Sequence, residues 1–170
     1  MNLSEKQFSL TRAASKSQGL SLYKQSISQS ANYYLSKSKT FDMDERLLEF
    51  LAARVAPVLK GPRVLEMGYV SDAYTRRIVA RFGKSYIVDF SAKLLEKAKD
   101  RFGKKVETFR SLFEDFKPAA GFDTILATNI LEHVSDPVKV LRKAKTWLNR
   151  NGRMIVIVPN ADSLQILHGS

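Results

Sequence analysis

A glycine turn and an acidic residue about twenty positions later form the most informative pair in this sequence. Gly68 follows the apolar segment 63–67, and Asp89 ends a second apolar segment 21 residues after that glycine. An acidic side chain in this place can accept hydrogen bonds from both ribose hydroxyls of a nucleoside cofactor. The alternative is that Asp89 only caps the following helix. The order of strand, turn, helix, strand and acid favours the ribose role.

The glycine turn argues against a dinucleotide. A pyrophosphate-binding loop has the pattern GxGxxG, whose glycines let backbone amides approach the phosphates. Here the turn contains Gly68 alone, followed by Tyr69, Val70, Ser71 and Asp72. Binding of NAD is therefore disfavoured.

Short apolar segments alternate with helical ones and would position these residues. The predicted strands are 63–67, 85–89, 105–109, 122–128 and 154–158. The predicted helices are 42–59, 72–82 and one from Ser91 to Gly103. A last predicted helix begins at Pro137, has Leu148 on its apolar face and stops at Asn151-Gly152. This alternation predicts an α/β, doubly wound, mostly parallel Rossmann-like sheet of at least five strands, in the order 3-2-1-4-5, with helices on both faces. Ligands of such sheets bind beyond the carboxyl ends of the strands.

Composition and charge exclude several classes of protein. The 170 residues predict a single core, and the absence of cysteine excludes disulfides, cysteine zinc sites and a thiol nucleophile. No apolar run is long enough for a membrane span. The net charge is +11, of which +5 lies in residues 1–40. That share weakens the case for a basic nucleic-acid-binding face on the core.

The first forty residues differ from the rest of the chain. They contain ten serines, six basic residues and one acidic residue. We interpret residues 1–40 as a basic, Ser-rich lead with a helical cap near 23–36, and residues 41–170 as the Rossmann-like domain. The alternative for this lead is an organellar transit peptide, which is also serine-rich and poor in acids. We expect a cytoplasmic location.

Five motifs in this order resemble the class I S-adenosylmethionine-dependent methyltransferases. They are VLEMG at 64–68, IVDFS at 87–91, SLFEDF at 111–116, FDTILATNILEHVSDP at 122–137 and GRMIVIVPNADSL at 152–164. The resemblance covers roughly residues 42–165 and is strongest to the small-molecule branch that includes ubiquinone-biosynthesis-type O-methyltransferases. It implies S-adenosylmethionine as cofactor, S-adenosylhomocysteine as product and a small-molecule methyl acceptor.

The resemblance also implies roles for particular residues. Asp89 would hold the ribose hydroxyls, and Phe90 would pack on the adenine. The remaining cofactor-binding candidates are Glu66, Gly68 and Tyr69 in the first motif, Leu112 and Phe113 closing the adenine pocket, and Asn129 near the methionine end. His133 is the candidate base for a hydroxyl acceptor, because histidine is the side chain that most often acts as a general base. The alternative is that His133 only makes a local hydrogen bond. Glu132 and His133 by themselves are too few ligands to predict a metal site.

Two departures from the family pattern qualify these expectations. The family loop reads E-x-G-x-G-x-G, whereas Val70 and Asp72 occupy the second and third glycine positions. Either the loop adopts a variant conformation, or cofactor binding has decayed and the chain is an inactive binding module. The family fold also continues beyond strand 5 with antiparallel strands, which we expect to be missing from this sequence. The sequence being a fragment or a truncation would explain the missing strands. A homo-oligomer in which a second copy covers the edge of strand 5 would explain them as well. An RNA methyltransferase is the least favoured alternative.

Overall fold

The computed structural model describes residue 21, residues 42–69 and residues 71–160. In this part of the chain, five parallel strands form one sheet in the order β3-β2-β1-β4-β5. The strands are β1 (Val64–Met67), β2 (Ser85–Asp89), β3 (Val106–Arg110), β4 (Phe122–Thr128) and β5 (Leu148–Ile157). The helices are α1 (Asp42–Val55), α2 (Asp72–Phe82), α3 (Ala92–Phe102) and α4 (Pro137–Lys145). The predicted fold class and strand order are confirmed.

Capping side chains set the bounds of the two helices nearest the predicted site. Ser71 accepts a hydrogen bond from the amide of Ala73 and begins α2, which Gly83 ends with a φ of 79°. Ser91 accepts from the amide of Leu94 and begins α3, which Gly103 ends. Hydroxyl N-caps and left-handed glycine C-caps satisfy backbone groups that have no partner inside a helix. The predicted ends of both helices are thus confirmed.

Helices cover both faces of the sheet. On one face, α1 and α2 pack over Val64 and Leu126, and α3 packs over Ile87. On the other face, Val140 and Ala144 of α4 pack in the cluster that contains Leu65, Met67, Ile125 and Ala127. Residues 64 and 65 point in opposite directions because side chains alternate along a strand. Burial on both faces explains the apolar strands of the sequence.

The last helix and strand are corrections to the sequence prediction. Helix α4 ends at Lys145 instead of continuing to Asn151-Gly152, and Leu148 begins β5 rather than packing on the helix. The amide of Phe122 donates to the carbonyl of Trp147, which brings the chain to the sheet at that point. Asn151 has a φ of 63° within β5, beside a register shift against β4. The Asn-Gly pair therefore marks an irregularity in a strand, not a helix stop.

Other bounds moved by a few residues. Strand β1 starts at Val64, β3 spans Val106–Arg110, and α1 ends at Val55 before a short 3-10 turn at Ala56–Val58 that contains a proline. The predicted helix at 23–36 and the chain after residue 160 lie outside the described residues. None of the helices in the described ranges has both the length and the apolar character needed to cross a membrane.

Candidate functional site

The carboxyl ends of β1, β2 and β4 bring the predicted site residues to one edge of the sheet. Met67 pairs with Val88 on one side and with Ala127 on the other. The amide of Gly68 donates to the carbonyl of Val88 at 2.8 Å. Gly68 consequently lies between the end of β2 and the end of β4, as expected for ligand-binding residues in an open parallel sheet.

Asp89 is the central polar group of this edge. Its side chain is buried, and its Oδ2 accepts from the amide of Tyr69 at 2.9 Å while its Oδ1 accepts from the amide of Ser91 at 2.7 Å. Burial raises the pKa of Asp89 above its ordinary value, and the hydrogen bonds from backbone amides act in the opposite direction. The N-cap of α3 is Ser91, so the capping role does not need Asp89. Each carboxylate oxygen has a further lone pair for another donor.

Gly68 is required at its position for two physical reasons. Its φ is 79°, in the left-handed region that favours glycine. An added Cβ would also lie 2.5 Å from Cγ2 of Ile130, a buried side chain that follows β4. The turn after β1 and the loop after β4 are therefore in direct contact, a packing role for Ile130 that the sequence did not indicate.

Glu66 faces the protein interior. Its Oε1 accepts from the hydroxyl of Ser85 at 2.6 Å and its Oε2 from that of Thr75 at 3.0 Å. Burial raises the pKa of Glu66 to about 7, against the lowering effect of these two hydrogen bonds. The predicted contact of Glu66 with the methionine part of a cofactor stays a prediction. Its hydroxyl partners were not identified from the sequence, because neither lies in a recognisable motif.

Tyr69 takes part through its backbone. Its side chain is 3% exposed and packs with Ile87, Leu94 and Leu95, on the α3 side of the sheet. Its amide, in contrast, donates to Asp89. The predicted contact of Tyr69 with a cofactor stays a prediction.

Aromatic and aliphatic side chains follow β2 and β3 next to Asp89. Phe90 is half-buried, and the guanidinium of Arg110 lies 6.0 Å from its ring centroid. The amide of Ser111 donates to the carbonyl of Asp89 at 3.1 Å, which keeps the start of this loop at the end of β2. Leu112 is buried, and Phe113 packs partly buried against the α4-side core. The sequence did not indicate this contact, in which the positive charge of Arg110 lies beside the ring of Phe90.

The loop after β4 contains the remaining candidates. Asn129 has a φ of 50°, a conformation that asparagine tolerates better than most residues, and its amide donates to the carbonyl of Ile157 at 2.9 Å. His133 ends the 3-10 turn Leu131–His133, and its side chain is exposed. Among the residues that the structure describes, no group of three or more His, Asp or Glu side chains could hold a metal ion.

Comparisons with known proteins agree with this geometry. A family model described as a methyltransferase domain matches residues 40–168. No curated protein sequence matches the chain. A similar solved structure is the N-methyltransferase NodS from Bradyrhizobium japonicum WM9 with S-adenosylhomocysteine, at 17% identity, covering 77% of this chain and 71% of NodS with a TM-score of 0.66.

Two further structures share the fold. An S-adenosylmethionine-dependent methyltransferase from Clostridium acetobutylicum ATCC 824 is 16% identical over 84% of this chain and 61% of its own, with a TM-score of 0.61. CalS10, an amino pentose methyltransferase from Micromonospora echinaspora with S-adenosylmethionine bound, is 15% identical over 79% of this chain and 56% of its own, with a TM-score of 0.59.

The fold is an α/β fold with a parallel sheet, and Gly68 and Asp89 meet at the carboxyl edge of that sheet. This chain belongs to the methyltransferase-domain family, the class I enzymes that take their methyl group from S-adenosylmethionine. The residues present fit that cofactor. Asp89 has buried acceptor oxygens, Phe90 next to it is half-buried, and Gly68 gives the turn after β1 its positive φ.

Proposed function

We propose that this chain transfers the methyl group of S-adenosylmethionine to a nitrogen or oxygen atom of a small molecule. The observation that carries the proposal is the Asp89 carboxylate, buried at the end of β2 and joined to the turn after Gly68 through the amide of Tyr69. NodS is an N-methyltransferase and CalS10 an amino pentose methyltransferase, which favours an amine acceptor.

Binding and orientation are the main tasks of the chain's own residues. The cofactor, when bound, supplies a methyl group on a sulfonium sulfur; the acceptor atom attacks the methyl carbon in line, and S-adenosylhomocysteine leaves with the electron pair of the broken C–S bond. Asp89 would accept hydrogen bonds from the ribose hydroxyls, and Phe90, Leu112 and Phe113 would surround the adenine. Asn129 and the Gly68 turn would lie toward the methionine end. Holding two reactants in alignment can lower the barrier by up to about 7–11 kcal/mol, so positioning alone accounts for much of the rate.

His133 is the proposed proton acceptor when the acceptor atom is a hydroxyl. It lies in the turn after β4, at the same edge as Asp89, and is exposed to solvent. We expect His133→Ala to lower kcat about a hundredfold with a hydroxyl acceptor, because base catalysis contributes at least that much. With an amine acceptor, which is uncharged when it attacks, the same change should have little effect. Equal losses with both acceptors would contradict the assignment.

The cofactor proposal is tested by calorimetric titration with S-adenosylhomocysteine. We expect binding by the unmodified chain and a loss of about tenfold or more in affinity for Asp89→Asn, which replaces an acceptor oxygen with a donor. Asp123→Asn is the matched control, since Asp123 also accepts two hydrogen bonds, from the Arg63 amide and from Asn149, at the opposite edge. Absence of binding at millimolar ligand, or equal losses in both variants, would contradict the proposal.

The division of the chain is a further part of the proposal. We propose that residues 1–40 form a basic lead before the methyltransferase domain at 41–170, in agreement with the start of the family match at residue 40. A chain starting at residue 41 should retain S-adenosylhomocysteine affinity if the lead serves only the acceptor. A large loss of cofactor affinity on truncation would contradict that division.

The outer edge of β5 is where a second copy of the chain would bind if the protein is a homo-oligomer. Val156 in β5 and Val158 just after it are 42% and 53% exposed. Light scattering measures the oligomeric state of the unmodified chain and of Val156→Lys. A monomer in both would contradict the proposal.

A further inference from the structure

Asp72 occupies a position at which the family pattern has glycine, and both of its carboxylate oxygens have partners. The hydroxyl of Tyr69 donates a hydrogen bond to Oδ1. Nε of Arg101, on α3, lies 3.2 Å from Oδ2. Asp72 is also the first residue of α2, where the helix dipole favours a negative charge. The acidic side chain is thus directed toward α3 by its bonds.

Tyr69 connects this acid to the second acid of the site. Its ring is buried against Leu94, Leu95 and other residues on the α3 side, and burial raises the pKa of its hydroxyl, which keeps it a donor. Its amide donates to Oδ2 of Asp89 at 2.9 Å. One immobilised residue therefore bonds Asp72 with its side chain and Asp89 with its backbone.

We propose that a Tyr69–Asp72 link, the hydrogen bond between these two side chains, holds the turn after Gly68 in the shape that keeps the Tyr69 amide on Asp89. The link joins the turn to the first residue of α2, and the buried ring of Tyr69 packs the same turn against α3. Tyr69 and Asp72 are positioning residues for the cofactor. This inference rests on the proposed function, since Asp89 is there the ribose-binding acid.

The alternative role for Asp72 is a simple charge at the start of a helix. That role would stabilise α2 but would not depend on the Tyr69 hydroxyl. Tyr69→Phe distinguishes this role from the proposed link, because it removes the hydroxyl and leaves the ring and the Asp72 charge in place. Asp72→Gly restores the family residue and removes the link. Asp72→Asn keeps an acceptor for Tyr69 but loses the ion pair with Arg101. That loss should be small, because the Arg101 side chain is 64% exposed and solvent screens the pair.

Two measurements test the link. The first is calorimetric affinity for S-adenosylhomocysteine, where we expect Tyr69→Phe and Asp72→Gly each to weaken binding about tenfold and Asp72→Asn about twofold. The double variant Tyr69→Phe/Asp72→Gly should be no weaker than either single one, since both break the same hydrogen bond. Tyr86→Phe is the matched control: Tyr86 accepts from Arg63 at the opposite edge, and its loss should leave affinity unchanged.

The second measurement is hydrogen exchange in the ligand-free protein. The amide of Tyr69 should exchange faster in Tyr69→Phe and Asp72→Gly than in the unmodified chain, with no change in Tyr86→Phe. Unchanged exchange, or an Asp72→Gly variant that binds as tightly as the unmodified chain, would overturn the link while leaving the proposed function intact. Failure of the unmodified chain to bind, together with faster exchange in the variants, would instead overturn the proposed function and keep the structural link.

Discussion

The two edges of the sheet use their polar residues differently. At the amino edge, Arg63 donates through Nε to the carbonyl of Gly121 at 2.8 Å and lies 4.4 Å from the ring centroid of Tyr86. Asp123 accepts there from the Arg63 amide and from Asn149. At the carboxyl edge, Asp89 accepts from the backbone amides of a turn and of a helix start.

The difference predicts that one edge of the sheet serves stability and the other serves cofactor binding. Side chains at the amino edge bond one strand connection to another, and the guanidinium of Arg63 lies over two rings. At the carboxyl edge, β1 and β4 instead lead into the Gly68 turn and the loop that contains Ile130, which are in contact. Ligands of open parallel sheets bind beyond this edge. We therefore expect changes at the amino edge to lower stability, and changes at the carboxyl edge to lower cofactor affinity.

The largest effect is expected for Gly68→Ala. The new Cβ would lie 2.5 Å from Ile130 in a left-handed conformation, so the turn or the loop after β4 must move. We expect a loss of about 3 kcal/mol in the free energy of unfolding and of about a hundredfold or more in S-adenosylhomocysteine affinity. Denaturation and calorimetry measure the two quantities.

Gly83→Ala is the control for that change. Gly83 has the same φ of 79°, but within the described residues nothing lies within 4 Å of its added Cβ. We expect a cost of about 1 kcal/mol and unchanged affinity. Similar results for the two alanine variants would mean that the contact with Ile130 is unimportant.

Glu66 should make stability depend on pH. Its pKa is raised from 4.5 to about 7 in the folded protein, so the folded state keeps a proton that the unfolded state has lost between these values. Stability therefore falls as pH rises through this window, by about 3 kcal/mol for this group, and is flat above it. Urea denaturation at pH 4.5 and pH 8 should show this fall in the unmodified chain and less of it in Glu66→Gln. Equal falls in both chains would contradict the assignment.

Arg63→Met should affect stability without affecting the cofactor. It removes hydrogen bonds to the carbonyl of Gly121 and to Tyr86 together with the cation–ring contacts. We expect a loss of about 2 kcal/mol in the free energy of unfolding, with affinity for S-adenosylhomocysteine within about twofold of the unmodified chain. A large loss of affinity would show that the two edges are not separate in function.

The smallest effect is expected for the ion pair between Lys84 and Glu107. Nζ and Oε2 lie 2.7 Å apart, but the side chains are 43% and 45% exposed. Solvent screens such a pair, so Lys84→Met should change stability by less than about 0.5 kcal/mol. Denaturation at low and high salt is the measurement, and a loss above 1 kcal/mol would place this pair among the stabilising contacts of the amino edge.

Local signals in the sequence were sufficient for most of the fold. Hydroxyl caps at Ser71 and Ser91 and glycines at 83 and 103 mark the ends of α2 and α3, because helix ends are satisfied by neighbouring residues. The Asn151-Gly152 pair was misread as a helix stop. A left-handed asparagine ends a helix or shifts a strand equally well, and only pairing with β4 selects the strand. Burial of Trp147 beside Phe116 likewise depends on distant residues.

The sequence by itself determined the order of elements, the placement of Gly68 and Asp89 at one edge, and the family of enzymes. The first two follow from the alternation of strands and helices, since parallel strands all end on the same side. The family follows from the resemblance of five motifs, and the match of the methyltransferase-domain model confirms it. The tertiary structure decided where side chains point. It turns Glu66 toward Ser85 and Thr75, buries the ring of Tyr69, and pairs Asp72 with Arg101. Such contacts join elements that are distant in the chain, and residue types and spacing do not specify them.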